Sequence, residues 1–143
     1  MEGLAELAEY RLTAPLVVRF RDLDAFGHVN NAVYATYLEE ARVAYLHKVL
    51  GRTRPEDYGI IIARVEIDYR SPVVLGDELV AGARVTRLGG ASFDMEYKIV
   101  EKKSGRLVLD AKSVQVAYDL KECKVRKLSD EIVDKLREFD HVA

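Results

Sequence analysis

The chain has 143 residues, which is enough for one hydrophobic core and too few for two, so we expect a single domain spanning residues 1–143. Hydrophobic residues make up 49% and charged residues 32%, a balance that excludes an intrinsically disordered chain. The net charge of -2 excludes a global positive field, so we expect neither a nucleic-acid partner nor a membrane partner.

The first half of the chain predicts one short strand and one long helix. The strand is Leu16–Arg21, in which apolar and polar residues alternate after a breaker at Pro15. The segment RDLDAFGHVNN follows and has the composition of a loop. From Asn31 to Leu50 there is no glycine or proline, and apolar residues recur at helical spacing, which predicts a helix of about five turns that ends at Gly51. So little of this helix is polar that we expect other elements to wrap it.

The stretch from Tyr58 to Tyr118 predicts four successive antiparallel strands, separated by turns at Gly76-Asp77, at Gly89-Gly90 and in KKSGR. In the first of them apolar residues alternate with charged ones, so we expect one face of that strand to be buried. The four strands are Ile61–Arg70, Glu78–Leu88, Ser92–Val100 and Leu107–Tyr118. The tail LSDEIVDKLREFD predicts a short terminal helix on the outside of the protein.

This order of elements predicts an α+β protein in which a single sheet curls around one helix. Such a sheet leaves an edge and part of its outer surface without a partner inside the chain. A second copy of the chain is the usual solution, so we expect at least a homodimer.

The residues DLDAFGHVNNAVYATYLEEAR, from Asp22 to Arg42, resemble the signature of the 4-hydroxybenzoyl-CoA thioesterase-like family of the hotdog superfamily. The order of strand, helix and four strands is similar to the hotdog order over nearly the whole chain. The resemblance implies a hotdog fold, in which a curved antiparallel sheet wraps a central helix. It also implies an acyl-CoA thioesterase that assembles as dimers or tetramers.

By this resemblance, Asp24 matches the catalytic carboxylate of the family. Asn31 falls where a backbone N–H at the start of the central helix points at the thioester carbonyl. Elementary electrostatics supports the second role, because a helix N-terminus carries unsatisfied N–H groups and about half a positive charge. Asp24 could attack the carbonyl carbon directly or act as general base to a water molecule, and the sequence does not choose between these roles.

Four further residues of the signature are candidates for a place in the site. His28 could bind the substrate carbonyl or orient a neighbour, although lone histidines are more often structural. Asn30 is predicted to cap the helix or to bind substrate, and Tyr34 to form core or pocket wall. Asp22 is predicted to structure the loop or to point away from the site. In the same helix Glu40 and Arg42 are as consistent with an ion pair to a partner subunit as with catalysis.

The sequence lacks the motifs of metal sites, serine hydrolases and dinucleotide-binding proteins. Three histidines and one cysteine at these spacings predict no metal site, and no G-x-S-x-G motif or dinucleotide fingerprint occurs. We therefore expect no cofactor, since coenzyme A is part of the substrate. The lone Cys123 and the absence of a basic leader or a long apolar segment favour a cytoplasmic protein.

Two alternatives to an acyl-CoA thioesterase remain at this point. One is an acyl-thioester dehydratase on the same fold, and the other is a non-catalytic module that binds acyl groups or coenzyme A. An acyl-carrier-protein thioesterase would be a variant of the first hypothesis that differs in its substrate. Four arginines of the predicted strands are candidate partners for the phosphates of coenzyme A, namely Arg64, Arg70, Arg84 and Arg87. Each of them, taken alone, is more typical of a strand residue that faces solvent.

Overall fold

The computed structural model describes residues 4–51 and 59–143, which form an antiparallel sheet and two α-helices. Short 3-10 turns occur at Ala5–Leu7 and Phe20–Asp22. The main elements are β1 (Leu12–Val17), α1 (Val33–Leu50), β2 (Ile60–Tyr69), β3 (Glu78–Leu88), β4 (Ser92–Glu101), β5 (Leu107–Asp119), β6 (Lys124–Val125) and α2 (Asp130–Asp140). The strands are ordered β1-β3-β4-β5-β2, and β6 pairs with the end of β5. The predicted order of one strand, one helix and four strands is therefore confirmed, although Tyr58 lies outside the described residues.

The helix α1 starts two residues later than predicted and ends as predicted. Gly51 adopts a left-handed conformation, with φ 71°, and its N–H donates to the carbonyl of His47. One face of α1 packs on the sheet and buries Tyr34, Tyr37, Leu38, Ala41, Tyr45, Leu46 and Leu50. The opposite face, which includes Thr36, Glu40 and Val43, is exposed. The expectation that the helix is wrapped all round is thus wrong for a single chain, because the sheet covers only one of its sides.

The first strand lies earlier than predicted, because Pro15 does not break it. Pro15 sits inside β1, paired in register with Val80 of β3. A proline removes one backbone donor, and among the described residues β1 is an edge strand with no neighbour on its other side. The residues after Val17 turn into the loop that leads to α1, so the predicted strand Leu16–Arg21 was wrong at both ends.

The strand β2 is the other edge of the sheet, and its apolar residues are not buried as predicted. The residues of β5 that pair with Ile62, Val65, Ile67 and Tyr69 are buried, so these four side chains of β2 lie on the same face of the sheet as the core. Nevertheless Val65 is 41% and Tyr69 is 48% exposed. A register shift between Ile62 and Arg64 marks a bulge, which explains why simple alternation did not describe the start of this strand. The helix α1 packs over β1 and β3, so it leaves the inner face of β2 uncovered.

The N-terminal segment covers part of the opposite face of the sheet, which was not predicted from the sequence. Leu4, Leu7 and Tyr10 form a second apolar cluster with Val80 and Val100. Gly82 of β3 lies directly under the Tyr10 ring, where a Cβ atom would meet ring Cγ at 2.6 Å. This small cluster therefore buries the outer face of β3 and β4, which would otherwise be exposed to water.

The terminal helix α2 is confirmed, but it is part of the core rather than merely external. Ser129 caps it by accepting the N–H of Ile132 at 3.3 Å. Ile132 and Leu136 are buried against β3 and α1. At its end Asp140 accepts hydrogen bonds from the Tyr45 hydroxyl and from the Val85 N–H, so one carboxylate joins α2 to both α1 and β3.

A buried carboxylate also holds the turn between β4 and β5. Glu101 accepts the N–H groups of Glu78 and Ser104, each at 2.9 Å. Burial by itself would raise the pKa of this carboxyl, but the backbone donors outweigh it and lower the pKa from 4.5 to about 2. Because the folded-state pKa is below the unfolded-state value, ionised Glu101 stabilises the fold above about pH 4.5 and loses this effect as the pH falls toward 2.

We predict that Glu101→Gln lowers the free energy of unfolding at pH 7 by on the order of 2 kcal/mol, because an amide cannot accept both N–H groups. The difference between the two proteins should narrow as the pH is lowered from 4.5 toward 2. Urea denaturation at a series of pH values measures both quantities. A difference that stays constant with pH would show that the Glu101 charge does not stabilise the turn.

Candidate active site

The loop that leads into α1 folds back on itself around Asp24. The Asp24 N–H donates to the carbonyl of His28 at 2.8 Å, and Gly27, with φ 79°, allows the tight return. One carboxylate oxygen, Asp24 Oδ1, accepts the N–H groups of Phe26 at 2.9 Å and His28 at 3.4 Å. The other oxygen, Oδ2, accepts no hydrogen bond from the residues that the structure describes. The loop thus fixes the orientation of an exposed carboxylate and leaves one oxygen for chemistry.

Asp22 fastens this loop to the helix. Its side chain is buried and accepts the Tyr37 hydroxyl at 2.7 Å and the Arg19 N–H at 2.9 Å, while its carbonyl accepts the Asn30 N–H at 2.9 Å. Burial would raise the pKa of the Asp22 carboxyl, but the hydrogen bonds from Tyr37 and Arg19 outweigh it and lower the pKa below its ordinary value. The prediction that Asp22 structures the loop is confirmed.

The first turn of α1 is organised by the two asparagines. Asn30 Oδ1 accepts the Ala32 N–H at 2.9 Å, and the Asn30 carbonyl accepts the Val33 N–H at 2.9 Å. The Asn31 carbonyl accepts the Tyr69 hydroxyl at 3.0 Å. The Asn31 N–H donates to no acceptor among residues 4–51 and 59–143. An unsatisfied donor at the positive end of a helix can stabilise a developing oxyanion.

The Asp24 loop, the start of α1 and the end of β2 enclose a cavity of about 300 Å³. It brings together four of the predicted site residues, namely Asp24, His28, Asn31 and Tyr34; Asn30 does not line it. The remaining lining residues are Val29, Tyr69, Arg70, Ser71 and Pro72.

Tyr69 is the cavity residue that sequence reasoning missed. Its hydroxyl bonds to Asn31, and its ring packs against Tyr34 with centroids 5.4 Å apart. Tyr34 in turn contacts Tyr37 edge to face at 5.8 Å, and burial raises the pKa of the Tyr34 hydroxyl. The sequence shows Tyr69 only as the last apolar residue of an alternating strand. Its position beside the start of α1 is visible only in the tertiary structure, where the end of β2 meets Asn31 and Tyr34.

The four candidate arginines on the sheet already have carboxylate partners. Each makes an ion pair within 3.0 Å, and the pairs are Arg64–Glu66, Arg70–Asp110, Arg84–Glu96 and Arg87–Asp94. Arg70 also lines the cavity, but both of its pairing nitrogens face Asp110. A phosphate would therefore have to compete with a carboxylate at each of these positions.

Neither of the α-helices in the described part of the chain combines the length and the apolar character needed to span a membrane. No group of three His, Cys, Asp or Glu side chains among residues 4–51 and 59–143 is arranged to hold a metal ion.

Several known proteins are similar to this chain. The long-chain acyl-CoA thioesterase FadM of Escherichia coli is 33% identical over 85% of this chain and 94% of its own length. The chloroplastic acyl-acyl carrier protein thioesterase ATL3 of Arabidopsis thaliana is 29% identical over 99% of this chain and 75% of its own length. A Thermus thermophilus thioesterase, solved with coenzyme A and zinc, superposes with a TM-score of 0.84 at 32% identity and covers 94% of this chain and 98% of its own.

The sheet packed on one long helix, together with these relatives, defines a hotdog-fold thioester hydrolase. The chain belongs to the thioesterase-like superfamily, whose family model matches residues 18–136. The predicted hotdog fold and the predicted thioester hydrolase class are both confirmed.

We predict that Tyr37→Phe lowers the free energy of unfolding by about 1–3 kcal/mol, because it leaves the buried Asp22 carboxylate without its hydroxyl donor. Urea denaturation measures the loss. Tyr118→Phe is the matched control, since the Tyr118 hydroxyl makes no hydrogen bond to a described residue. Equal effects of the two substitutions would contradict the role assigned to the Asp22–Tyr37 bond.

Proposed function

We propose that this protein hydrolyses acyl-CoA thioesters in the cavity between the Asp24 loop, the start of α1 and the end of β2. The observation that carries the proposal is that an oriented carboxylate lines the same cavity as Asn31, which lies just before α1 and whose N–H has no acceptor among the described residues. The substrate class is supported by the similarity to FadM, named as an acyl-CoA thioesterase, and to a thioesterase solved with coenzyme A. Coenzyme A enters as part of the substrate, and the proposed reaction uses no other cofactor.

In the proposed reaction the thioester carbonyl lies at the start of α1. The Asn31 N–H donates to the carbonyl oxygen as negative charge develops on it, and the partial positive charge of the helix terminus adds to this effect. The bond from Tyr69 to the Asn31 carbonyl holds the next peptide group, between Asn31 and Ala32, and so restrains the backbone of Asn31. His28 lines the same cavity and is proposed to contact the substrate, whereas Asn30 acts through the helix start that it caps.

Asp24 supplies the carboxylate in either of two routes. As a nucleophile, its free oxygen forms a bond to the carbonyl carbon, the thiolate of coenzyme A leaves, and water then hydrolyses the anhydride. As a general base, it takes a proton from a water molecule that attacks the same carbon. The two backbone N–H groups on Oδ1 hold the other oxygen in position for both routes.

We predict that Asp24→Asn lowers kcat for acyl-CoA hydrolysis by roughly 100- to 10,000-fold, with stability nearly unchanged because the side chain is exposed. A thiol-release assay over short, long and aromatic acyl-CoAs measures it. Asp134→Asn, an exposed aspartate on α2, is the matched control and should keep full activity. Asp22→Asn is unsuitable as a control, because Asp22 is buried and holds the loop. Full activity of Asp24→Asn would refute the proposed role of this carboxylate.

We also propose that the protein works as a homodimer joined through β2. Among the described residues no strand pairs with the outer edge of β2, and unlike β1 this edge carries no proline. Long unprotected edges with exposed apolar side chains tend to pair with another strand. A second copy related by a twofold axis would extend the sheet and cover part of the exposed inner face of β2.

We predict a dimer, or a tetramer made of two such dimers, at micromolar concentration, and sedimentation equilibrium distinguishes these states from a monomer. Val65→Lys places a charge on the inner face of β2 and should shift the protein toward monomer. Leu120→Lys, at an exposed position after β5, is the control and should leave the assembly unchanged. A monomeric native protein at this concentration would refute the proposed interface.

A further inference from the structure

Three tyrosines meet at the start of α1, and two of them already use their hydroxyl protons. The Tyr37 hydroxyl donates to Asp22 at 2.7 Å, and the Tyr69 hydroxyl donates to the Asn31 carbonyl at 3.0 Å. Tyr34 contacts both of these rings, with centroids 5.8 Å from Tyr37 and 5.4 Å from Tyr69. The Tyr34 hydroxyl makes no hydrogen bond to any residue in 4–51 or 59–143. Of the three hydroxyls, it is therefore the one whose proton is still free to be donated.

The free hydroxyl of Tyr34 opens into the active-site cavity. Tyr34 is only 3% exposed, but it lines this cavity together with Asp24 and Asn31. Among the described residues, the fully enclosed side-chain nitrogen or oxygen that lacks a hydrogen bond is Nε of Arg84. The Tyr34 oxygen is thus not enclosed by protein, and the cavity is the space that it faces. Burying a polar group without a partner is costly, so such a group is expected to have a function.

Helix geometry places this hydroxyl near the N–H of Asn31. Tyr34 is the second residue of α1 and comes three residues after Asn31, and a helical side chain leans toward the N-terminus over the preceding turn. The contact with Tyr69 supports the same position, because the Tyr69 hydroxyl is itself bonded to Asn31. Burial, followed by the neighbouring Tyr69, raises the pKa of the Tyr34 hydroxyl, so the phenol keeps its proton at neutral pH. The start of α1 therefore offers the cavity two unused donors, one N–H and one O–H.

The other side chains that line the cavity offer no equivalent donor. The Ser71 hydroxyl donates to a backbone carbonyl of β5 at 2.8 Å, and Arg70 pairs with a carboxylate of the same strand. His28 and Asn31 are exposed, so water competes for the N–H groups of their side chains. Tyr34 donates from a buried position, where a hydrogen bond to a developing charge is stronger than in water.

We propose that the Tyr34 hydroxyl is a second donor to the carbonyl oxygen of the thioester, next to the N–H of Asn31, so that Tyr34 is a catalytic residue. The inference rests on the proposed function. When the carbonyl carbon is attacked, an electron pair moves to the oxygen, which then accepts one hydrogen bond from the backbone and one from the phenol. The proton stays on Tyr34, and the electron pair returns when the thiolate of coenzyme A leaves. Both routes for Asp24 benefit equally, because the oxygen gains the same charge in each.

The first test compares Tyr34→Phe with the native protein in the thiol-release assay. We expect kcat to fall roughly 100-fold, the usual loss when one donor to an oxyanion is removed, while KM changes little. The free energy of unfolding should stay unchanged, because the lost hydroxyl leaves no described partner unsatisfied. Tyr118→Phe is the matched control and should keep the native kcat. A native kcat in Tyr34→Phe would overturn the inference.

A second measurement detects the hydrogen bond itself and excludes a merely structural effect. A ketone analogue of acyl-CoA, with a methylene group between carbonyl and sulfur, resists hydrolysis, and a carbon-13 label isolates its carbonyl band in infrared difference spectra. A donor to the oxygen lowers the frequency of this band. With saturating analogue, we expect the band to lie at higher frequency in Tyr34→Phe than in the native protein, and to stay in place in Tyr118→Phe. An unchanged band in Tyr34→Phe would overturn the inference even if kcat falls, because the hydroxyl would then not contact the carbonyl oxygen.

The outcomes separate this inference from the proposed function. If the native protein releases thiol from none of the acyl-CoAs, the proposed function fails. If it hydrolyses them and Tyr34→Phe keeps the native kcat or the native band, only the inference is overturned. Should Tyr34→Phe fail to fold, 3-fluorotyrosine in place of Tyr34 keeps both the ring and the hydroxyl. Its more acidic phenol should move the carbonyl band to lower frequency, and an unmoved band would overturn the inference.

Discussion

The hydrogen bond between the Tyr37 hydroxyl and the buried Asp22 carboxylate is the constraint on which the geometry of the active site depends. It joins the second turn of α1 to the loop before that helix, and the same aspartate binds Arg19 and Asn30 through its other contacts. Asp24 is two residues further along, so its position relative to the helix start is set by this anchor. A loop that carries a catalytic carboxylate needs such support, because small displacements of a reacting group lower the rate strongly.

The two edges of the sheet differ in a way that has consequences for function. The β1 edge contains a proline and belongs to a strand of six residues, whereas β2 has ten residues and an uncovered apolar face. The active-site cavity lies at the end of β2, where Tyr69 meets Asn31. A partner at the β2 edge would therefore lie next to the proposed catalytic groups, which connects the proposed assembly with the proposed chemistry.

The core combines apolar packing with a few carboxylates and hydroxyls that are each fully paired. Asp140 joins α2 to α1 and β3, and Glu101 holds the turn after β4. A line of hydrogen bonds from Arg42 through Tyr97 and Ser113 to Gln115 belongs to the same class of contact, because each polar side chain in it has a partner.

The sequence by itself determined the order of elements, the extent of α1, the loop around Asp24 and the family signature, because these depend on local spacing and on residues that are near one another in the chain. It misplaced β1, since the tolerance of Pro15 depends on the strand lying at an edge. It also predicted a buried face for β2, since alternation shows which residues share a face but not whether anything covers it. Only the tertiary structure brought Tyr69 to Asn31 and Arg42 to Tyr97, because these contacts join residues far apart in sequence that meet only after the sheet has formed. It also paired Asp22 with Tyr37, because this contact depends on how the loop folds back on the helix.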